Sequence, residues 1–212
     1  MALMLLGIAF SYFIGSLPTA YLSGKLIKGI DIRNHGSGNV GATNAFRVLG
    51  APIGITVLLL DALKGIICVI VIADFLITKG VVINELFLRI VLGVVSVIGH
   101  SLTVFLRFKG GKGMATTLGV LIGLAIKFPA LKAILLIEVL LWFLVFMISR
   151  IVSLASIVSA VFLPIFFIAF KQPMSLIIMS LFLAIFIIYR HKANIFRLLH
   201  NQEPRLSLKP KA

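Results

Sequence analysis

Seven long apolar runs make up most of this chain of 212 residues, which is 61% hydrophobic. A helix of about 20 apolar residues can cross the hydrocarbon core of a bilayer, because its backbone hydrogen bonds are internal. Charged residues make up only 12% of the chain, whereas soluble domains average about 25%. The pattern predicts an all-α integral membrane protein with seven transmembrane helices, forming a single membrane-embedded domain over residues 1–212. The runs cover residues 2–22, 52–76, 83–102, 114–126, 133–148, 154–170 and 174–189.

Positive charge is in strong excess, with 20 Lys and Arg against 6 Asp and Glu, and it fits either a nucleic-acid partner or membrane topology. Few of these cations cluster away from the apolar runs, so we favour topology and expect no nucleic acid. With seven helices, 14 basic residues fall on one side and five on the other, while Lys64 lies within a helix. Because cytoplasmic segments are enriched in Lys and Arg, the N-terminus is predicted outside and the C-terminus in the cytoplasm.

A polar segment, Gly-Ser-Gly-Asn-Val-Gly-Ala-Thr-Asn-Ala-Phe-Arg (36–47), separates the first two runs. Its glycines allow successive amides to turn toward one point, and the Ser, Thr and Asn side chains add short donors. Arg47 supplies a planar guanidinium, which can donate two parallel hydrogen bonds to a phosphate or carboxylate. The segment is therefore predicted to bind an anion. The alternative is a flexible linker, which needs neither two Asn nor a terminal Arg.

A second polar segment follows the third run and centres on Lys-Gly-Gly-Lys-Gly (109–113), directly before a predicted helix near Ala115. The amides and the positive dipole at a helix N-terminus favour a phosphate. The spacing is not that of a Walker loop. A cluster of positive charges that only sets the membrane topology would explain the two lysines but not the three glycines.

Two further polar segments fall on the predicted cytoplasmic side. One is residues 149–153, and the other begins at Arg190 and places His191 and Asn194 on one helical face. All the polar loops are therefore predicted to converge on the cytoplasmic face. Metal-ligand spacing is absent from these segments, so phosphate handling by amides and cations, without a metal or cofactor, is the favoured chemistry.

Polar residues also occur within the apolar runs. Pro18 predicts a kink in the first helix, where Ser16 and Thr19 can satisfy freed backbone groups. Asp61 and Lys64 stand three residues apart and predict a buried pair. This pair either orients the second helix against its neighbours or supports the active site.

Three strings resemble the signature motifs of the bacterial acyl-phosphate:glycerol-3-phosphate acyltransferases, the PlsY family. They are Gly-Ser-Gly-Asn-Val-Gly-Ala-Thr-Asn (36–44), Phe-Lys-Gly-Gly-Lys-Gly (108–113) and His-Lys-Ala-Asn-Ile-Phe-Arg-Leu-Leu (191–199). Asp-Ala-Leu-Lys-Gly (61–65) and Ser-Arg-Ile-Val-Ser-Leu-Ala-Ser (149–156) are also similar to that family. The resemblance extends in order over essentially the whole chain.

The chain departs from the family pattern at three positions. The family usually has Pro where Thr103 stands, Val where Met114 stands and Gly where Asn201 stands. Asn tolerates left-handed φ better than most residues, so the last change is expected to be mild. The loss of the proline is expected to alter how the third helix ends.

The resemblance implies transfer of a fatty acyl group from acyl phosphate to the 1-hydroxyl of glycerol 3-phosphate, giving lysophosphatidic acid and phosphate. It implies an enzyme without cofactor or metal, in the bacterial cytoplasmic membrane, with its active site on the cytoplasmic side. The implied partners are the two substrates, the lipid bilayer and the upstream enzyme that forms acyl phosphate.

The resemblance also implies the site. Ser37, Arg47 and Lys112, with Ser153 and Asn194, would hold the phosphate of glycerol 3-phosphate, and amides around Gly110 and Gly111 would hold the acyl phosphate. His191 would act as general base or would only orient ligands while a substrate phosphate oxygen accepts the proton. The catalytic set is His191, Ser37, Lys112 and Asn194. The substrate-binding set is Gly36, Gly38, Asn39, Gly41, Thr43, Asn44, Arg47, Lys109, Gly110, Gly111, Gly113, Arg150 and Ser153.

Two other functions remain compatible with the apolar runs. A membrane transporter of a small anionic metabolite would have broken helices that meet near mid-membrane, often in repeated halves. A lipid-surface scaffold would use the net charge of +14 and would not need glycine-rich loops.

Overall fold

Helices are the only regular secondary structure in residues 2–206, the part of the chain that the computed structural model describes. This confirms the predicted all-α class. The chain divides into two compact units, Met1–Pro129 and Ala130–Ala212, which we call the N-terminal and C-terminal units.

Seven α-helices form the N-terminal unit. They are α1 (Ala2–Ser16), α2 (Thr19–Lys28), α3 (Ala42–Leu49), α4 (Ala51–Ile67), α5 (Ala73–Thr78), α6 (Glu85–Ser101) and α7 (Met114–Lys127). A single π-helical stretch, Cys68–Ile72, joins α4 to α5.

Four α-helices lie in the described residues 130–206 of the C-terminal unit. They are α8 (Lys132–Ser149), α9 (Val152–Ala169), α10 (Met174–Arg190) and α11 (Lys192–Leu199). Helix α10 carries into α11 with a bend of 62° at His191.

Four helical segments of the described chain are long and apolar enough to cross a bilayer: Ala51–Thr78, Glu85–Leu106, Pro129–Ser149 and Val152–Ala169. The number rises to six if each bent pair, α1 with α2 and α10 with α11, forms one span. Helix α7 is apolar but has only 14 residues. The structure therefore supports an integral membrane protein with four to six spans, and the count of seven stays a prediction.

The predicted kink at Pro18 is confirmed, since α1 ends at Ser16 and α2 begins at Thr19 with a bend of 41°. The helix also continues to Lys28, beyond the predicted end at residue 22. The expected role of Ser16 and Thr19 was wrong, because both hydroxyls reach other helices. Ser16 Oγ donates to the Gly99 carbonyl at 3.2 Å, and Thr19 Oγ1 donates to Asp61 at 2.6 Å.

Partners from other elements satisfy the carbonyls at this break. Lys64 Nζ donates to the Leu17 carbonyl at 2.5 Å, and Thr103 Oγ1 donates to the Ser16 carbonyl at 2.6 Å. Thr103 is the residue that replaces the proline usual in the family, and its buried hydroxyl ties the end of α6 to the end of α1. A backbone break inside an apolar unit is tolerated only where such donors are present.

The pair Asp61 and Lys64 is buried on α4, with 2.5 Å between Lys64 Nζ and Asp61 Oδ1. Because the same ammonium also reaches Leu17, the pair fixes α4 against the α1–α2 break. These contacts are those expected of a pair that orients the helix against its neighbours.

Arg89 of α6 is fully buried and anchors the π-helical stretch. Its Nη1 donates to the Val69 carbonyl at 2.6 Å, while its other nitrogens contact Asp74 and Glu85. A π-helical stretch leaves irregular carbonyls, and the guanidinium supplies a donor to one of them. The arrangement fixes α6 beside the α4–α5 segment.

Candidate active site

Asn44, at the start of α3, organises the first polar segment from a fully buried position. Its Oδ1 accepts from the Ser37 amide at 2.8 Å, and its Nδ2 donates to the Ile32 carbonyl at 3.2 Å and the His35 carbonyl at 3.0 Å. All three bonds go to the backbone of the loop. Asn44 therefore shapes the loop, and the prediction that it contacts substrate is not supported by these contacts.

The loop around Asn44 needs two glycines in the left-handed region. Gly36 has φ of 60° and Gly38 has φ of 69°, which side chains with a Cβ seldom adopt. A Cβ at Gly36 would also overlap the Asn44 amide. The resulting turn leaves Ser37 exposed at the surface.

Helix α3 presents its N-terminus next to this turn. Gly41 is its N-cap and accepts from the amides of Asn44 and Ala45. Asn39 and Thr43 flank that cap with half-buried side chains, and Arg47 lies in the last turn of the same helix. Amides at a helix N-terminus and a guanidinium one turn further on form a suitable environment for an anion.

The second polar segment folds back onto the last turn of α6. Gly110 donates its amide to the Ser101 carbonyl at 3.0 Å, and Gly111 donates to the His100 carbonyl at 3.1 Å. The predicted use of these two amides for acyl phosphate is therefore corrected. The amides satisfy carbonyls at the C-terminus of a helix, which otherwise lack intrahelical donors.

The backbone before this segment takes an uncommon path. Arg107 and Phe108 both have positive φ, of 52° and 62°. Two successive side-chain-bearing residues in this region carry a conformational cost of a few kcal/mol, which surrounding structure must offset. Gly113, with φ of 85°, is then the N-cap of α7, so Lys109 and Lys112 are held between a strained turn and a helix start.

The two glycine-rich segments meet at Gly111. A Cβ on Gly111 would lie 2.9 Å from the Val40 carbonyl and would overlap the imidazole of His100. The N-terminal unit thus places residues 36–47 and 108–113 against each other, as the sequence predicted.

In the C-terminal unit, three side chains converge on the carboxylate of Glu203. Ser153 Oγ and Asn194 Nδ2 both donate to Oε1 at 2.6 Å, and Arg197 Nε donates to Oε2 at 2.6 Å. The Glu203 side chain is only 3% exposed. Ser153 and Asn194 are therefore brought together, as predicted, but around a carboxylate of the chain itself.

His191 lies at the bend between α10 and α11 and is buried. Its Nδ1 is 2.8 Å from the Ile187 carbonyl. A carbonyl can only accept, so Nδ1 carries the proton and Nε2 is the basic nitrogen of the neutral ring. Asn194 follows within the same turn, and its backbone amide donates to the His191 carbonyl at 2.8 Å.

Arg150 ends α8 in the left-handed conformation, with φ of 60°. Its carbonyl accepts from the Leu206 amide at 2.8 Å. The chain after α11 therefore returns to the turn between α8 and α9. Ser153, which contacts Glu203, follows this turn.

Two carboxyl groups outside the apolar spans have lowered pKa values. Hydrogen bonds from the Arg33 side chain hold the pKa of Asp31 at about 2. Burial alone would raise the pKa of Glu203, but hydrogen bonds from Ser153, Asn194 and Arg197 outweigh that effect and lower the pKa below its usual value. Glu203 is therefore an anion at neutral pH.

Comparison with known proteins identifies the family. The family model described as glycerol-3-phosphate acyltransferase matches residues 5–201. The chain belongs to the glycerol-3-phosphate acyltransferase family. Among its relatives, the glycerol-3-phosphate acyltransferase of Fusobacterium nucleatum is 43% identical over 196 residues, covering 92% of this chain and 94% of the relative. That of Chlorobium chlorochromatii is 42% identical over 226 residues, covering 93% and 94%.

Solved structures support the same family and fold. The crystal structure of PlsY, an integral membrane glycerol 3-phosphate acyltransferase, in its glycerol 3-phosphate form is similar with a TM-score of 0.84 and 38% identity, covering 96% of both chains. Its lysophosphatidic acid form is similar with a TM-score of 0.80 and 36% identity, covering 96% of this chain and 95% of that one. The chain is therefore an integral membrane acyltransferase, and its resemblance to the PlsY family is confirmed.

Sequence reasoning missed two residues of this acyltransferase's candidate site. No motif spacing in the sequence links Glu203 to Ser153. His100 lies outside the strings that resemble the family motifs, and its carbonyl and ring both contact Gly111. Each residue reaches its partners only because the chain reverses direction in the fold, and the sequence carries no signal for that reversal.

Proposed function

We propose that this acyltransferase transfers a fatty acyl group from acyl phosphate to the 1-hydroxyl of glycerol 3-phosphate. The hydroxyl oxygen forms an ester bond with the acyl carbon, the bond from that carbon to phosphate breaks, and lysophosphatidic acid and inorganic phosphate result. The observation that carries the proposal is the similarity to PlsY in two forms, one with glycerol 3-phosphate and one with lysophosphatidic acid.

In the N-terminal unit, Ser37, Arg47 and Lys112 are assigned to the phosphate of glycerol 3-phosphate. Ser37 stands exposed beside the α3 N-terminus, and the segment of Lys112 packs against the loop at Val40. Cations and amides bind a dianionic phosphate without a metal. Gly36, Gly38 and Gly41 give the loop its shape, and the donor groups around it bind the anion.

The second glycine segment has a changed assignment. With the amides of Gly110 and Gly111 bonded to α6, the groups offered to acyl phosphate are the Lys109 side chain and the first-turn amides of α7 after Gly113. Lys109 is exposed and Lys112 is half-buried. The glycines let the backbone of this segment lie close against His100.

In the C-terminal unit, Ser153, Asn194 and Arg150 are assigned to substrate phosphate. Ser153 has one hydroxyl proton, and Glu203 accepts it. Phosphate binding by the Ser153 hydroxyl therefore requires that the Glu203 carboxylate release this proton.

His191 is assigned one of two roles, general base or ligand orientation. The protonated Nδ1 supports the first role, because it leaves Nε2 as an acceptor for the hydroxyl proton. In the second role a phosphate oxygen takes that proton. Phosphate is a good leaving group, so the demand for a strong base is modest.

The proposed topology has seven membrane crossings in a single domain, with the N-terminus outside and the C-terminus in the cytoplasm of a bacterium. The distribution of Lys and Arg supports it. The crossings would comprise the two bent pairs, the four long apolar segments and the short helix α7. The site would then lie on the cytoplasmic side, where an upstream enzyme supplies acyl phosphate.

The function is tested with purified protein, acyl phosphate and labelled glycerol 3-phosphate. We expect labelled lysophosphatidic acid together with an equal amount of inorganic phosphate. Acyl coenzyme A in place of acyl phosphate serves as the donor control, and we expect no product from it. Absence of product from acyl phosphate would refute the proposal.

A further inference from the structure

His100 lies between a buried carboxylate on one side and the second glycine segment on the other. Its Nδ1 is 3.5 Å from Asp61 Oδ1, and its side chain is only 7% exposed. On the opposite side of the ring, Nε2 occupies the space into which a Cβ of Gly111 would project. The imidazole therefore connects α4 to the Lys-Gly-Gly-Lys-Gly segment.

Asp61 is itself held in place from two directions. Lys64 Nζ and Thr19 Oγ1 reach its Oδ1 at 2.5 and 2.6 Å. A carboxylate held by two donors favours the ring orientation in which Nδ1 faces Asp61. The edge of the ring that faces Gly111 is consequently set by residues on α2 and α4.

The segment that this ring contacts is rich in glycine. Gly110, Gly111 and Gly113 have no side chains to pack, and glycine loses more conformational freedom on folding than any other residue. Among the contacts that hold the segment are the two amide bonds to the carbonyls of His100 and Ser101 and the contact with the imidazole. His100 contributes one of these bonds and the ring contact.

We propose that His100 is a positioning residue of the acyltransferase, oriented by Asp61, which fixes the backbone at Gly111 and thereby the placement of the adjacent Lys112. The inference rests on the proposed function in one respect, the assignment of Lys112 to the phosphate of glycerol 3-phosphate. His100 touches the loop and acts through Lys112. A displacement of a charged group by about 1 Å can cost about 100-fold in rate or affinity.

The kinetic test compares His100→Ala, Gly111→Ala, the double variant and His35→Gln. We expect His100→Ala to raise KM for glycerol 3-phosphate about tenfold, with kcat changed less than about threefold and KM for acyl phosphate unchanged. His35→Gln, an exposed histidine beside the first loop, should leave both constants unchanged. A His100→Ala variant with unaltered KM and a smaller amount of active protein would show a merely structural role and overturn the proposal.

The double variant supplies a sharper criterion. Gly111→Ala alone forces a methyl group into the imidazole and should raise KM for glycerol 3-phosphate about tenfold. In the His100→Ala background only the 2.9 Å approach of the new methyl group to the Val40 carbonyl remains, so adding Gly111→Ala should raise KM by about threefold or less, well below its effect alone. Effects that simply multiply would overturn the proposal.

Amide hydrogen exchange of residues 108–113 gives a readout that does not depend on activity. The Gly111 amide should exchange slowly in the wild-type protein and at least about tenfold faster in both His100→Ala and Asp61→Asn. Equal exchange in all three proteins would overturn the proposal even if no lysophosphatidic acid is formed. If His100→Ala fails to fold, Asp61→Asn and Gly111→Ala carry the same comparison. Failure of the wild-type protein to form product would refute the proposed function and leave the exchange result to decide the role of His100.

Discussion

Asn194 donates its side-chain amide to the carboxylate of Glu203 at 2.6 Å, across a reversal of the chain that follows α11. The reversal occurs at Asn201, which has φ of 57°. The family usually has glycine at this position, and the expectation that asparagine tolerates left-handed φ is confirmed. The turn places the buried carboxylate of Glu203 against Ser153 and Asn194, the two side chains that we assign to a substrate phosphate.

Replacement of Glu203 by Gln should destabilise the protein by about 1–3 kcal/mol, because charge-assisted hydrogen bonds from Arg197, Asn194 and Ser153 are weakened. The measurement is the free energy of unfolding in detergent. Glu85→Gln is the matched control, since the Glu85 side chain is 54% exposed in its pairing with Arg89 and should contribute less than about 1 kcal/mol. An equal loss in the two variants would contradict this prediction.

The lowered pKa of Glu203 makes its contribution to stability dependent on pH. The folded state binds this proton less readily than the unfolded state, so the contribution is present above the unfolded pKa of about 4.3 and is lost as pH falls through the folded pKa. Thermal unfolding between pH 7 and pH 3 should therefore show a smaller acid dependence in Glu203→Gln than in the wild-type protein. Parallel curves would show that the carboxyl has the same pKa in both states.

Replacement of Asn44 by Ala should cost about 1–3 kcal/mol of stability, because the Ser37 amide loses its acceptor and the carbonyls of Ile32 and His35 each lose one donor. Asn44→Asp should be at least as harmful, since it places a carboxylate oxygen against the carbonyls of Ile32 and His35. Unfolding free energies measure both effects. Asn34→Ala, at an exposed position of the same loop, should change stability by less than about 0.5 kcal/mol.

Replacement of Arg47 by Lys should lower kcat/KM for glycerol 3-phosphate about 10- to 100-fold, because an ammonium keeps the charge but loses the two-pronged geometry. Lys112→Ala should lower it by a similar amount. Steady-state kinetics provide the measurement, with exposed Lys25→Gln as the control for loss of one positive charge. Activity unaffected by Arg47→Ala or Lys112→Ala would refute the site assignment.

Replacement of His191 by Ala should separate its two assigned roles. If Nε2 is the general base, the rate should fall about 100-fold or more while glycerol 3-phosphate still binds. If the ring only orients ligands, binding should weaken in proportion to the rate. Calorimetric binding of glycerol 3-phosphate beside single-turnover rates provides both numbers, and His200→Ala, at an exposed position, is the control.

The sequence predicted those features that depend on local chemistry. Pro18 predicted a break because proline lacks an amide proton, and the apolar runs predicted helices because lipid offers no hydrogen bonds. The meeting of the two glycine-rich segments was also expected, and Gly111 lies against the Val40 carbonyl.

Features that depend on which elements pack together could not be predicted. Asn44 looked like a ligand donor because an exposed and a buried asparagine have the same sequence signature. Gly110 and Gly111 looked like anion-binding amides, and only the return of their segment onto α6 shows that carbonyls of Ser101 and His100 accept those protons. Thr103 looked like a lost proline, yet its hydroxyl reaches the Ser16 carbonyl.

The contact of Lys64 with the Leu17 carbonyl has a consequence for biosynthesis. A nascent second apolar segment brings one positive and one negative charge into the membrane, which is costly unless partners are already there. Leu17 and Thr19 precede Asp61 and Lys64 in the chain, so the ribosome delivers the partners before the charges. The first apolar segment therefore already provides the hydrogen-bond partners of Asp61 and Lys64 when the second segment enters the membrane.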